Sequence, residues 1–287
     1  MMTTASTLRR GRTARSAGWH LVCLAGVAVV LYPLVWLGFS SFKPPDEILS
    51  RLALLPSRFV FDGYTKGWEG AAGVGFGRFF LNSFLVAGLS VVANVLSCSL
   101  AAFAFARLRF RFRGALFAFM ITTLMLPYHV TLIPQYVIFQ QAGLVNTFVP
   151  LILPKLLATE AFFVFLIVQF MRGIPSELDE AATIDGCGVY RTFWYVVLPL
   201  SKPALVTTSI FTFIWTWNDF FTQMVYLNDT EKFTVPLGLR LFVDTSSQSN
   251  FGAMFAMSAL ALVPIVLFFL AFQRLLVEGV STSGLKG

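Results

Sequence analysis

Charge is what this sequence has least of. Asp, Glu, Lys and Arg make up 12% of its 287 residues, against roughly 25% in a soluble globular chain. That is too few to cover a folded body in water. Three cysteines and two histidines exclude a disulfide framework and a tetrahedral zinc site built from these residues alone. There is no G-x-x-x-x-G-K-[ST] phosphate loop, no H-E-x-x-H and no G-x-S-x-G, so no catalytic residue, metal ligand or cofactor site is expected. No repeat of hydropathy relates one half of the chain to the other, as the inverted or parallel repeats of many secondary transporters would. Apolar residues, in contrast, are abundant: 57% of the chain is hydrophobic, the mean hydropathy is +0.76 and there are 32 phenylalanines. Lipid is the solvent for much of this protein.

A membrane helix needs about 20 apolar residues, and the chain supplies six such stretches. Residues 19–40, 80–106 and 251–272 contain no Asp, Glu, Lys or Arg. The charge-free run between Arg113 and Lys155 is too long for one crossing, which divides it into spans over about 115–138 and 148–171. A fifth span over 204–227 is apolar except for Asp219, and the last extends to about residue 276. The first apolar run is longer than a signal-peptide core and no small-x-small cleavage site follows it. Leu21-Val22-Cys23 has the bulky Val22 where a lipoprotein box needs a small residue, so Cys23, like Cys98, is expected as a buried thiol.

The 21 Lys and Arg fix an orientation. With the N-terminus inside, thirteen fall on cytoplasmic segments and seven on outer ones, Lys155 lying within a span. The positive-inside bias therefore places both termini in the cytoplasm, with tails over 1–18 and 278–287 flanking a membrane domain over 19–277. The densest cluster, Arg107 to Arg113, alternates Arg with Leu and Phe. A short basic turn between two spans explains it without nucleic acid. On the outer side, 42–77 is rich in Pro and Gly and has room for one short amphipathic element, while 228–250 holds a small turn at Val235 to Gly238.

One polar segment, 173–203, has a helical grammar of its own. Ser176 and Asp179 have the spacing of a capping box, a short helix follows through Leu178, Ala181, Ala182 and Ile184, and Gly186 stops it. A second short helix over about 189–197 carries Phe193, Val196 and Val197 on one face and ends at Pro199. Ser201 and Pro203 then open the fifth span. Glu177, Asp179, Glu180 and Asp185 make the first helix acidic. An anionic leaflet repels such a helix, and a basic protein partner suits it better than lipid headgroups do.

Glu180-Ala181-Ala182, three residues, Gly186, nine residues, then Val196-x-Leu198-Pro199 resembles the cytoplasmic coupling motif of permease subunits of ATP-binding cassette importers, with Val196 where that family usually has Ile. The flanks Ile174 to Asp185 and Leu198 to Ala204, together with Ala101 to Arg107, Trp217 to Phe220 and Phe272 to Gly279, are similar to the carbohydrate-uptake branch of the family, the maltose and glycerol-phosphate type. The resemblance covers about residues 81–287. It implies an all-α, six-helix integral membrane protein of the type I importer permease fold, located in a bacterial inner membrane. It also implies a second homologous permease subunit, two ATPase subunits and an extracytoplasmic sugar-binding protein as partners. In that reading Glu180, Ala181, Ala182, Asp185, Gly186, Val196, Leu198 and Pro199 contact the ATPase. The missing phosphate loop agrees with ATP hydrolysis by a partner.

Polar groups within spans are expensive and default to cavities or helix interfaces. Asn94, Asn218 and Asp219 are the candidate pathway residues, Asn94 serving equally well as an interhelical hydrogen bond and Asp219 as a helix-end cap. Lys155 and Glu160 lie close together in the fourth span, and His129 follows a proline break. The rival reading is an ion-coupled secondary transporter in which Lys155, Glu160 and Asp219 carry the ion.

Overall fold

The computed structural model describes residues 4–50, 53–243 and 250–283, with side chains for those between 18 and 273 other than 49. Every regular element among them is helical. The chain divides into two compact units, 1–68 with 242–260 and 69–241 with 261–287.

The first unit contains α1 (Thr4–Ser40), α2 (Pro45–Ser50), nearly all of α3 (Asp62–Glu69) and the opening turns of the last helix. The segment after α1 thus holds two short helices where one element was expected. Glycine decides their packing at one point: a Cβ on Gly63 would lie 2.6 Å from the Gly252 carbonyl oxygen, so only glycine lets the two backbones approach. Phe42 stacks among Phe59, Phe61 and Tyr64, and Lys43 donates to the Ala53 carbonyl at 2.6 Å. Residues 18–35 of α1 are exposed throughout. Cys23, expected as a buried thiol, is therefore on the surface of the chain, as are its neighbours along this stretch of α1.

The second unit is built round α4 (Phe76–Arg107), a 32-residue helix about 48 Å long at 1.5 Å per residue. Its buried stripe, Ser83, Ala87, Ser90, Asn94, Cys98 and Ala102, recurs at three- and four-residue spacing and consists of small side chains. Such a stripe lets neighbouring helices come close in lipid, where helices associate by packing and polar contacts. Against α4 pack α7 (Val149–Leu156), α8 (Ala161–Arg172) and α11 (Lys202–Asn218). Phe103, Phe163, Ile167, Met171, Phe193 and Val197 close one end of the core, and Val86, Leu132, Phe139, Leu151, Tyr226 and Leu237 the other. Between these lie α5 (Arg113–Thr123), α6 (Tyr128–Gln141), α9 (Glu177–Ile184), α10 (Val189–Leu200), α12 (Phe221–Tyr226) and α13 (Val235–Arg240). α14 (Phe251–Ser283) ends the described chain, and Trp217 donates its indole N–H to the Ala261 carbonyl at 3.1 Å.

Among the described residues, Gly18–Ser40, Phe76–Arg107, Val149–Arg172 and Phe251–Gln273 are each long and apolar enough to cross a membrane. Two bent pairs reach that length together: α5 with α6 at 101°, and α10 with α11 at 75°. Several expected spans are thus interrupted. The stretch 115–138 breaks at 124–127, because Pro127 lacks an N–H and disfavours helical backbone at Leu126. The stretch 148–171 breaks at 157–160, where Ala158 takes φ +54°. The stretch 204–227 stops at Asn218, Asp219 being extended at φ −70°, ψ 100°. At the termini, the expected tail over 1–18 is helical from Thr4, and 284–287 of the other tail lie outside the described residues.

Candidate functional site

Two features of the second unit concentrate polar groups: a cavity at the helix breaks and the hairpin α9–α10.

The breaks at 124–127, 157–160 and 219–220 all contribute to one cavity of about 620 Å³. Its polar lining includes Tyr128, Lys155, Glu160, Asp219, Thr222 and Gln223. Lys155 Nζ lies 3.1 Å from Glu160 Oε1 across the break between α7 and α8, so the two charges neutralise each other. Asp219 accepts the Thr222 N–H at 3.0 Å and so holds the first turn of α12. The Thr222 hydroxyl meets the Tyr128 hydroxyl at 3.1 Å, which ties α6 to α12. Gln223 donates to the Thr216 carbonyl at 2.9 Å and accepts from the Thr234 hydroxyl. Hydroxyls and the Asp219 carboxylate give the cavity wall hydrogen-bonding groups, the Gln223 amide being satisfied within the protein.

Of the three candidate pathway residues, Asp219 alone lines this cavity. Asn94 is fully buried between helices, donating to Thr212 Oγ1 at 2.7 Å and accepting from the Cys98 thiol at 3.1 Å. Asn218 is exposed and bonds back to Ile214 of its own helix at 2.8 Å. His129 stands edge-on to Phe221 with ring centroids 5.1 Å apart, outside the cavity lining. Gln223 was overlooked in the sequence, although an amide inside an apolar span was itself a signal.

In the hairpin, Gly186 takes φ +79°. The Cys187 N–H reaches the Ala182 carbonyl at 2.8 Å and the Gly186 N–H the Thr183 carbonyl at 3.0 Å. These are the two bonds of a Schellman turn. The expected capping box is absent. Ser176 sits at φ −71°, ψ −20° with no side-chain cap bond, whereas a capping serine needs extended backbone. Asp179 turns instead towards Arg107, whose Nε is 3.1 Å from Asp179 Oδ2.

The second helix also departs from expectation, because Pro199 does not end it. Residues 193–197 form a π-helical turn, with the Leu198 N–H bonded to the Phe193 carbonyl five residues back. The wider turn relieves the clash between a proline ring and the preceding carbonyls, and the helix runs on to Leu200.

The motif residues divide by face. Glu180, Ala181, Asp185, Gly186 and Pro199 are exposed, Val196 and Leu198 are half-buried, and Ala182 is buried inside the hairpin. Ala182 is thus small for internal packing, and Ala181 alone of the two alanines faces outward. Ile184, expected on the apolar side of α9, is 86% exposed and shares the outer surface with Glu180 and Tyr190.

In this helical membrane chain, the polar cavity at broken spans and the exposed acidic hairpin fit the layout of a transport subunit. Its sequence places it further: residues 93–282 match the family described as binding-protein-dependent transport system inner membrane component, and the chain belongs to that family. It is 33% identical over 279 residues to a probable ABC transporter permease protein of Bacillus subtilis, covering 97% of this chain and 91% of that one. It is 31% identical to the diacetylchitobiose uptake system permease protein NgcG of Streptomyces coelicolor, over 91% of this chain and 86% of that protein. Identity to the sn-glycerol-3-phosphate transport system permease protein UgpE of Agrobacterium fabrum is 32%, over 91% and 94%. The fold matches a chain from the crystal structure of a bacterial ABC transporter that imports the acidic polysaccharide alginate, with a TM-score of 0.79 at 22% identity, covering 92% of this chain and 97% of that one. The fold is that of type I importer permeases.

Proposed function

We propose that this chain is the translocation subunit of an ATP-driven importer for a sugar or sugar derivative. In this reading both termini face the cytoplasm, a homologous permease completes the pathway, and two ATPase subunits dock on the α9–α10 hairpin. A sugar-binding protein delivers substrate from the other side. The observation that carries the proposal is the hairpin itself. Gly186 closes a Schellman turn that holds Glu180, Ala181 and Ile184 outward on a short, rigid helix.

A carbohydrate substrate is supported by relatives named for diacetylchitobiose and arabinooligosaccharide uptake. The ion-coupled alternative lacks support, since Lys155 and Glu160 satisfy each other and the relatives are ABC permeases.

The test is uptake of radiolabelled oligosaccharides by cells with and without this chain. Uptake that requires the chain, stops on ATP depletion and survives a protonophore is expected. Uptake that collapses with the ion gradient while ATP is intact would overturn the proposal.

A further inference from the structure

We propose that Arg107 is a positioning residue for coupling: its ion pair with Asp179 latches the end of α4 to the first turn of α9, so that displacement of α4 is handed to the hairpin. The inference rests on the coupling role proposed above and adds the route by which the hairpin is moved.

Arg107 is the last residue of α4 and Asp179 lies in the first turn of α9. Each charge therefore sits at the helix end whose dipole favours it. The two side chains are 11% and 24% exposed with Nε and Oδ2 at 3.1 Å, and Arg107 Nη2 also donates to the Ile174 carbonyl at 2.8 Å. One guanidinium thus grips both the α8–α9 turn and α9. The ion pair is close but not aligned as a hydrogen bond: Arg107 Nε and Asp179 Oδ1 are buried without hydrogen-bond partners among the described residues. Buried polar groups are nearly always satisfied, and unused capacity of this kind is what a pair that changes geometry during a cycle leaves in one of its states.

The same helix is tied to a segment of the cavity wall. Ten residues before Arg107, Ser97 donates to the Lys155 carbonyl at 2.6 Å, next to the ion pair at the α7–α8 break. That is about 15 Å along the axis, and from Leu89 to Arg107 the helix contains neither Gly nor Pro to absorb a movement. A shift at the α7–α8 break is therefore delivered to Asp179 by a continuous helix.

The experiment uses the complete complex reconstituted with its partner permease, ATPase and binding protein. Arg107→Gln, Asp179→Asn, and the exchange of Arg107→Asp with Asp179→Arg are compared for assembly and for stimulation of ATP hydrolysis by sugar-loaded binding protein. The single variants are expected to assemble and to lose about fivefold or more of the stimulation, with the exchange recovering most of it. Should Arg107→Gln fail to assemble, Asp179→Asn decides, since it is isosteric and leaves the bond from Arg107 to Ile174 in place. Full stimulation in Asp179→Asn, or an exchange no better than the single variants, would overturn the latch. Absence of stimulation in the wild-type complex would instead overturn the coupling reading on which the latch depends.

Discussion

Replacing Gly186 with Val probes the hairpin where its geometry is most demanding. An ideal Cβ at Gly186 meets nothing within 4 Å, so the penalty is one of backbone conformation and not of space. At φ +79° a side chain costs about 1–2 kcal/mol, and a branched one lies at the upper end. If the turn opens to relieve that strain, the bonds from Cys187 to Ala182 and from Gly186 to Thr183 go with it, at about 0.5–1.5 kcal/mol each. The cost is set by the cheaper of the two, strain kept or bonds lost, on the order of 1–3 kcal/mol, and it falls on an eight-residue helix that unfolds locally without the rest of the bundle. At about 1.4 kcal/mol per factor of ten, the docked orientation of Glu180 and Ile184 loses about an order of magnitude in population. Gly186→Val should therefore insert and express normally, yet bind the ATPase about tenfold more weakly and show little stimulation by sugar-loaded binding protein. Gly186→Asn is the control, because Asn enters the left-handed region more readily than other residues with a Cβ, and it should retain most of the activity. Wild-type ATPase binding in Gly186→Val, or Asn behaving no better than Val, would refute the reasoning.

Asp219→Asn keeps an oxygen to accept the Thr222 N–H but removes the charge from the cavity; assembly should persist while uptake falls. Asp219→Ala also loses the acceptor, worth about 1 kcal/mol, and should lower thermal stability as well, whereas unchanged uptake in both variants would remove Asp219 from the pathway. A membrane-impermeant maleimide should leave Cys187 unlabelled in intact cells and label it in inverted vesicles stripped of ATPase, and labelling from outside would reverse the orientation. The buried Cys98 should resist the reagent from either side.

What the sequence revealed and what it hid divide along the range of the interactions. The Gly186 turn was readable because its cause is local: a helix that must reverse direction needs one residue at positive φ. The proline breaks were half visible. Pro127 announced itself, but residue spacing alone does not say that a span folds over by 101° instead of kinking. The capping box failed because Arg107, some seventy residues earlier, competes for Asp179 with an opposite charge, and no pattern around Ser176 reports that. Ala182 and Ile184 illustrate the same limit. Four apolar positions on a short helix do not reveal which of them face the hairpin and which face outward. Asn94 is legible as a polar residue in a span, but only packing shows that it bridges two helices. The cavity was illegible because it is made by three breaks far apart in the chain.

Those three breaks have an electrical consequence. Residues of the 124–127, 157–160 and 219–220 segments face one hollow, and interrupted helices expose amide and carbonyl groups that hydrocarbon cannot satisfy. Such a hollow is hydrated whenever no guest fills it, and water conducts the field far better than lipid does. The voltage across a membrane, worth about 2.3 kcal/mol per elementary charge for every 100 mV, then drops almost entirely over the thin dry layer that remains. For a chain read as a permease, the barrier to ions at this hollow is therefore the side chains packed beside it and not the full depth of the bilayer.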